Sequence, residues 1–343
     1  MNDEINLNPI NIEYLKDLSN DSNNEFSDFY LDNKFCVFKA INNIIYLIYS
    51  SDEDTIISYD LVNNKKINEI KKAHNYIIKA IRYIYDKFQK RDLIISISEE
   101  IIKLWNIINF ECILKIKNNN KNEFYNSACF LTNINQIFII AGNLKPIQVF
   151  DLNGNIQGEI YKNKEFIFFI DAYYDKKLSK NFIITGNDGY SKSYDFINKK
   201  LYYEYSKYNK DYKGYKNHNS ITVLNDKEIT KLIDSSFDGY IRIWNFHTGQ
   251  LLKEIVVSQE ALYSICLWNN DYLFVGCKDN SIKLIELKNG NIIKTLSGHN
   301  SEVITIKKII HPIYGECIIS QGRGNGQIKL WINKNTINSQ NYI

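Results

Sequence analysis

Several features are scarce or missing in this sequence, and each absence narrows the class of protein. The 343 residues include only 3 prolines and 15 glycines, which argues against a long disordered tail or linker. The six cysteines lie far apart and form no Cys-x-x-Cys pair, which fits a reducing compartment better than a disulfide scaffold. The N-terminus has no basic region followed by an apolar stretch, and no run of 18 apolar residues occurs, so we expect neither a signal peptide nor a membrane span. The expectation is an intracellular protein of the cytoplasm or, alternatively, the nucleus.

A strong net charge is also missing. The formal net charge of +3 is too small for a general nucleic-acid binder held by phosphate neutralisation. The N-terminal 34 residues are an exception, because eight acids and two lysines give them a local charge of −6 and leave +9 for the rest of the chain. We expect residues 1–25 to form an acidic arm outside the folded domain.

Catalytic motifs are missing as well. The five histidines show neither a His-Glu-x-x-His motif nor a Cys/His spacing suited to zinc, and no Gly-x-Ser-x-Gly motif occurs. The glycine-rich run 322–326 lacks the Lys-Ser/Thr pair of a phosphate-binding loop and is typical of a hairpin turn. We therefore expect no enzyme activity, no cofactor, no metal and no small-molecule substrate.

What the sequence does contain is an internal repeat. An apolar, a polar and an apolar residue precede an aromatic residue that is followed by Asp or Asn, as in segments 102–106 and 241–245. Seven such segments occur, some of them degenerate. Their aromatic position, which is isoleucine in the copy at 285, lies at 59, 105, 150, 194, 244, 285 and 331. A turn-forming polar residue lies six positions upstream in six of the seven copies. The intervals of 41 to 50 residues are typical of the blades of a β-propeller.

Apolar runs flank each copy at the distances that further strands require, for example 137–141 upstream of one copy and 251–255 downstream of another. The sequence therefore predicts an all-β fold, a seven-bladed propeller of four-stranded antiparallel blades.

The repeat resembles the WD repeat. Segment 235–245, Ser-Ser-Phe-Asp-Gly-Tyr-Ile-Arg-Ile-Trp-Asn, is similar to the core of that repeat, and Gly298-His299 with Trp331 downstream is similar to its Gly-His to Trp-Asp frame. The resemblance covers residues 35–331, although the copies ending at 59, 150, 194 and 285 lack the Gly-His pair and the tryptophan. It implies that one blade holds a buried structural network made of the following residues: His218, Ser236, Asp238 and Trp244.

The ends of the chain must close the ring, because an open sheet edge recruits other chains. Two segments are available as the outer strand of the last blade, residues 26–31 near the N-terminus and residues 332–343 at the C-terminus. We favour the N-terminal segment, which leaves residues 35–41 as the first inner strand. The predicted domains are then an acidic arm over 1–25 and a propeller over 26–343.

A partner-binding site is predicted on one rim of the propeller, where the loops before the inner strands meet the hairpin turns. Aromatic and arginine side chains at such positions are frequent hot spots, whereas packing of a turn is the alternative role for each residue. The predicted rim residues are Tyr76, Ile77, Phe124, Asn187, Ser220, Phe237, Ala261, Lys278, Glu302 and Arg323.

A basic and aromatic insertion lies in the longest interval and opens onto the same rim. Lysines interleaved with tyrosines grip acidic peptides, phosphorylated segments or RNA bases by charge and stacking, and a solvated loop shaped by composition is the alternative. The residues of this loop are Lys207, Tyr208, Lys210, Tyr212, Lys213, Tyr215 and Lys216.

These observations predict a non-enzymatic scaffold or adaptor protein that assembles a multiprotein complex through its propeller rim, with other proteins as partners. Two alternatives remain open. One is the substrate-recognition subunit of a ubiquitin ligase, although no tryptophan here continues as Trp-Asp-x-Arg. The other is an RNA- or ribosome-associated propeller.

Overall fold

The computed structural model describes residues 10–18, 35–51, 54–118, 124–142, 146–160, 166–207, 217–226, 228–323 and 327–336. These residues form twenty-eight β-strands, numbered here in chain order, and one short 3-10 helix. The strands build seven antiparallel sheets of four strands each. The predicted all-β fold of seven four-stranded blades is therefore confirmed.

In each blade the strands are called a to d from the inside outwards. The strands of blades 1 to 3 are Phe35–Lys39 (β2), Ile45–Ser51 (β3), Thr55–Asp60 (β4) and Lys65–Ile70 (β5); Ala80–Asp86 (β6), Arg91–Ile97 (β7), Ile101–Asn106 (β8) and Cys112–Lys117 (β9); and Ser127–Thr132 (β10), Ile137–Gly142 (β11), Ile147–Asp151 (β12) and Ile156–Ile160 (β13).

The remaining blades follow the same order, and the last one takes its outer strand from the N-terminus. The strands of blades 4 to 7 are Phe169–Asp175 (β14), Lys180–Gly186 (β15), Tyr190–Asp195 (β16) and Lys200–Ser206 (β17); His218–Asn225 (β18), Thr230–Ser236 (β19), Tyr240–Asn245 (β20) and Leu251–Val256 (β21); Leu262–Leu267 (β22), Tyr272–Cys277 (β23), Ile282–Glu286 (β24) and Ile292–Leu296 (β25); and Val303–His311 (β26), Gly315–Gly322 (β27), Ile328–Asn333 (β28) and Ile12–Asp17 (β1). The 3-10 helix, Lys334–Thr336, follows β28.

The inner strands form a closed ring around the axis. Strand β2 contacts β6, each following inner strand contacts the next, and β26 contacts β2 again. The second strand of a blade is covered on both faces by neighbouring blades, and all six residues of β11 are buried. The outer strands face solvent on one side and alternate in exposure, as β9 does. The apolar core of the molecule therefore lies between the blades.

An N-terminal strand completes blade 7, but it is not the segment predicted for this role. Strand β1 pairs antiparallel with β28, in a register that places Ile12 opposite Asn333 and Asp17 opposite Lys329. The physical reason is burial, because Ile12 is fully buried in the cluster around Trp331. The closing strand thus lies within the segment predicted to be an acidic arm, and the predicted segment 26–31 lies outside the described residues.

The Asp or Asn that follows the aromatic position in blades 1 to 5 holds the turn between strands c and d. In blade 1, Oδ1 of Asp60 accepts hydrogen bonds from the backbone N–H groups of Val62 and Asn63, both at 3.0 Å. Asp195 in blade 4 and Asn245 in blade 5 accept equivalent pairs of bonds. The residue type recurs because a short side-chain acceptor satisfies the backbone of a tight turn.

Candidate partner-binding rim

The loops that link one blade to the next and the turns between strands b and c lie on one face, called here the rim face. The other face, formed by the a–b and c–d turns, is called the turn face. Backbone hydrogen bonds of 2.8 to 3.3 Å join the two kinds of segment on the rim face, for example from Lys278 N–H to the Ala261 carbonyl and from Arg323 N–H to the Glu302 carbonyl. The rim face is therefore a set of loops fixed against rigid turns.

The ten predicted rim residues differ in accessibility. Tyr76, Phe124 and Lys278 are exposed, and the side chain of Lys278 forms an ion pair with Glu260 at 2.8 Å. The half-buried members are Ile77, Ser220, Glu302 and Arg323, and the fully or nearly buried members are Asn187, Phe237 and Ala261. Partner binding by any of them stays a prediction.

Asn187 and Ser220 have structural partners on this face. The Asn187 side chain accepts a hydrogen bond from the Thr185 hydroxyl at 2.8 Å and donates one to the Phe166 carbonyl at 3.1 Å. The Ser220 hydroxyl oxygen accepts a bond from the Ile265 N–H at 3.2 Å, which joins blades 5 and 6. Both side chains stabilise the rim face in this conformation.

Four of the predicted residues come together in blades 5 to 7. Phe237 and Ala261 pack with Tyr263 and Ile304 in one apolar cluster, in which the rings of Phe237 and Tyr263 meet edge to face with centroids 5.3 Å apart. The guanidinium of Arg323 lies 5.0 Å from the centroid of the Tyr263 ring. We call the set Phe237, Ala261, Tyr263, Glu302, Ile304 and Arg323 the rim cluster.

Sequence reasoning missed Tyr263 and Ile304, which are placed by β-bulges. The register of β22 with β23 shifts between Leu262 and Ser264, and that of β26 with β27 shifts between Val303 and Thr305. A bulge of this kind redirects one side chain and is frequent beside functional sites. A bulge depends on the pairing of two strands, so no local sequence signal reports it.

The charges of the rim cluster are closely matched. Arg323 Nη1 lies 2.5 Å from Glu302 Oε2, as an ion pair rather than an aligned hydrogen bond. The Nε–H of Arg323 is buried without a hydrogen-bond partner among the described residues. Burial raises the pKa of Tyr263, Arg323 opposes that rise and Glu302 adds to it, so the phenol stays protonated. The cluster thus combines one ion pair with two aromatic rings.

The predicted network of His218, Ser236, Asp238 and Trp244 differs from the bonds observed. Trp244 Nε1 donates to Asp234 at 2.8 Å, and Nδ1 of His218 lies 2.9 Å from the Ser191 hydroxyl and 3.4 Å from the same Asp234 carboxylate. Asp234 lies on strand b, opposite Arg242 of strand c. Asp238 lies in the turn between these strands and accepts a hydrogen bond from the Arg242 side chain at 2.7 Å. The acceptor for the tryptophan therefore comes from strand b.

Serines take the place of Asp234 in two other blades. In blade 2 the Ser96 hydroxyl oxygen accepts a bond from Trp105 Nε1 at 2.8 Å and lies 2.6 Å from Nε2 of His74. In blade 7 Ser320 stands in the same relation to Trp331 and His299. These histidines act as structural hydrogen-bonding groups.

The buried histidines predict an acid-sensitive fold. Burial lowers the pKa of His74 to about 3 and that of His299 to about 4, with a further contribution from a nearby lysine in each case. In the unfolded chain both titrate near pH 6.5, so the unfolded state takes up more protons below that pH and stability falls as the pH drops. We expect a loss of about 2 kcal/mol per histidine between pH 6.5 and 5, measured by urea unfolding.

A matched variant tests the origin of this pH dependence. His299→Gln removes one titrating group, so its stability, although lower at pH 7, is expected to depend less on pH than that of the wild type. Equal slopes for the two proteins between pH 6.5 and 5 would contradict the assignment.

Burial makes three of the six cysteine thiols unreactive. All six are free thiols, and burial raises the pKa of Cys36, Cys277 and Cys317 to about 12. A thiol with a raised pKa is a poor nucleophile and a poor metal ligand. Across the described ranges no three His, Cys, Asp or Glu side chains lie together as a metal site, and no helix there is long and apolar enough to cross a membrane.

Most of the predicted basic and aromatic loop lies outside the described residues, namely Tyr208, Lys210, Tyr212, Lys213, Tyr215 and Lys216. Lys207 is described, and its ammonium group forms an ion pair with Glu254 on strand d of blade 5. The loop starts after β17 and ends before β18, which puts its two ends on the rim face.

Comparison with curated proteins finds short stretches of similarity. The chain is 26% identical over 72 residues to the U3 small nucleolar RNA-associated protein 21 homolog of Schizosaccharomyces pombe, which covers 21% of this chain and 8% of that protein. It is 28% identical over 75 residues to myosin heavy chain kinase C of Dictyostelium discoideum, covering 22% and 9%. It is 25% identical over 103 residues to the WD repeat-containing protein ATCSA-1 of Arabidopsis thaliana, covering 29% and 22%.

The matched stretches thus span less than a quarter of the length of each of these relatives. No family model matches the chain.

Proposed function

Because this chain is a seven-bladed propeller of the WD-repeat type, we propose that it is a non-catalytic scaffold that assembles other proteins into a complex at its rim face. The rim cluster of blades 5 to 7 is the proposed centre of that contact. The predicted rim residues outside it, including Tyr76 and Phe124, would form the periphery.

The observation that carries this proposal is the Tyr263–Arg323 pair. Arginine and tyrosine are among the side chains enriched in binding hot spots, and here a half-buried arginine is held over a tyrosine ring by Glu302. The arginine is therefore already ordered before a partner arrives, which lowers the entropic cost of binding. The Arg323 side chain is 20% exposed, so part of it is open to a partner.

The non-catalytic part of the proposal rests on how the chemically active groups are used. His74 and His299 are buried, neutral and bonded to serines that also hold tryptophans. The similarity to a protein named as a kinase covers 9% of that protein.

Affinity purification from native cells tests the proposal. The tagged chain and its Arg323→Ala variant are compared by quantifying the proteins that come with each. Loss of a hot-spot arginine typically costs about 2 kcal/mol, so we expect captured partners to fall by tenfold or more. Lys334→Ala is the control, because Lys334 is a paired lysine at the turn face and its removal leaves the rim cluster intact.

Equal capture by the Arg323→Ala variant and the wild type, with unchanged melting temperatures, would contradict a role for the rim cluster.

RNA association is a second candidate, favoured by the relative named as a U3 small nucleolar RNA-associated protein. In that case nuclease treatment before purification removes the partners. Partners that remain after nuclease treatment favour the protein scaffold.

A further inference from the structure

The turn face differs from the rim face in what it exposes. Blades 1 to 4 have eight turns on this face, one a–b turn and one c–d turn in each blade, and all eight are described. Six of these turns carry one protruding apolar side chain each, and these side chains are between 44% and 83% exposed. These side chains are Ile41, Phe88, Ile108, Ile134, Leu178 and Ile197. They lie at the tips of hairpins, so they project away from the molecule instead of lining a groove.

In blades 2 and 4, exposed lysines lie in the turns of three of the four apolar tips, Phe88, Leu178 and Ile197. The exposed lysines in the turns of blades 2 and 4 are Lys87, Lys90, Lys176, Lys177, Lys199 and Lys200. The aspartates of the same turns add little negative charge to this surface, because Asp86 and Asp175 are 1% exposed and accept hydrogen bonds from backbone N–H groups. Glu111 is the exposed acid in the turns of these four blades, all of which the structure describes. The face is therefore both apolar and strongly basic.

Composition alone does not explain this pattern, because some equivalent turns in other blades lack it. Two residues after the turn Asp or Asn, blades 2 and 4 expose Ile108 and Ile197, whereas blade 5 places the half-buried His247 there. In the a–b turns, Phe88 and Leu178 contrast with the exposed Asn270 and Asp271 of blade 6. Outside blades 1 to 4, exposed apolar side chains flank two described turns of this face, Ile292 in blade 6 and Ile310 in blade 7, so the tips are concentrated in blades 1 to 4.

We propose that the turn face of blades 1 to 4 docks onto an anionic lipid surface, with the apolar tips inserted among the head groups and the lysines close to the lipid phosphates. Protein interfaces are depleted in lysine and favour arginine. Single-stranded nucleic acids are bound by aromatic rings that stack on bases, whereas five of the six tips are aliphatic and only Phe88 is aromatic. Aliphatic tips beside lysines match the two forces that hold a peripheral protein on an anionic membrane, burial in the interface and attraction to charged head groups.

The arrangement leaves the rim face free. The two faces lie at opposite ends of the strands, so a chain docked by its turn face presents the rim cluster away from the membrane. This proposal is independent of the proposed scaffold function, since neither surface shares a residue with the other.

Vesicle sedimentation with the full chain tests the proposal. We expect the protein to sediment with phosphatidylcholine vesicles that contain phosphatidylserine and to stay in solution with phosphatidylcholine alone. The triple variant Ile108→Ser, Leu178→Ser, Ile197→Ser is expected to bind the anionic vesicles at least about tenfold more weakly than the wild type. The control variant Ile67→Ser, Val256→Ser removes exposed apolar side chains from outer strands and is expected to bind like the wild type.

Absence of sedimentation of the wild type with the anionic vesicles overturns the proposal. So does equal binding of the triple variant and the wild type, because lysines alone would then explain the attraction. Displacement of the protein from vesicles by polyglutamate or single-stranded RNA, with equal affinity of the triple variant for those polymers, would assign the face to an acidic macromolecule instead. Melting temperatures of both variants, followed by circular dichroism, show whether the fold is intact.

Discussion

Ile12→Asp is expected to unfold this protein under conditions in which the wild type is folded. Ile12 is fully buried between strand β28 and the neighbouring blade, where it contacts the cluster of Trp268 and Trp331. Truncation of a buried isoleucine to alanine costs about 2–5 kcal/mol, and a carboxylate at the same site adds the cost of removing a charge from water. A whole domain has a stability of about 5–15 kcal/mol. The variant is expected to lose cooperative thermal unfolding or to melt far below the wild type.

The neighbouring residue supplies the control. Glu13 lies on the same strand and forms an ion pair with Lys334 in which both side chains are about half exposed. Such a pair contributes less than about 1 kcal/mol, so Glu13→Ala is expected to melt close to the wild type. A melting temperature of Ile12→Asp equal to that of Glu13→Ala would show that β1 does not complete blade 7.

Arg242→Met is expected to produce the second largest loss of stability. Arg242 is fully buried, binds Asp238 through two nitrogens at 2.7 and 3.2 Å, and contacts Glu254 at 3.0 Å. Methionine fills the space but leaves the buried Asp238 carboxylate without its cation. Removing one partner of a buried ion pair costs about 3–5 kcal/mol. Urea unfolding of the variant measures the loss.

Blade 6 offers the matched control for this substitution. Lys283 occupies the position of Arg242 in the repeat and pairs with Asp279 at 3.1 Å, but that aspartate is 38% exposed. Water therefore replaces the lysine when it is removed, and Lys283→Met is expected to cost about 1 kcal/mol or less. Equal losses for the two variants would mean that burial does not set the strength of the Arg242 pairs.

The architecture was predictable because its signals are local and repeated. An Asp or Asn at the end of five of the seven segments caps the turn that follows, as Asp60 and Asp195 do, so the chemistry of one tight turn recurs along the sequence. Together with the even spacing of seven copies, this indicated the number of blades and the order of strands within each.

The closing strand was not predictable in the same way. Residues 26–31, Phe-Ser-Asp-Phe-Tyr-Leu, have a more apolar and aromatic composition than 12–17, Ile-Glu-Tyr-Leu-Lys-Asp. The choice between them depends on which segment buries a side chain against blade 6 and Trp331, and that is a contact across more than 300 residues. Local patterns do not report such a contact.

The site was predicted only in part, for related reasons. Phe237, Ala261, Glu302 and Arg323 follow from their positions before inner strands or in hairpin turns, and the structure brings them together. Tyr263 depends on a register shift between paired strands. The residue that accepts the hydrogen bond from Trp244 Nε1 likewise depends on the register between strands b and c. In this register the acceptor is Asp234 instead of the predicted Asp238.

A crystal structure of the full chain would show the number of blades and the strand that closes the ring. We expect seven four-stranded sheets around one axis, with residues 12–17 antiparallel to 328–333 and the Arg323 guanidinium over the Tyr263 ring. A different number of sheets, or a last blade completed by another segment, would contradict this expectation.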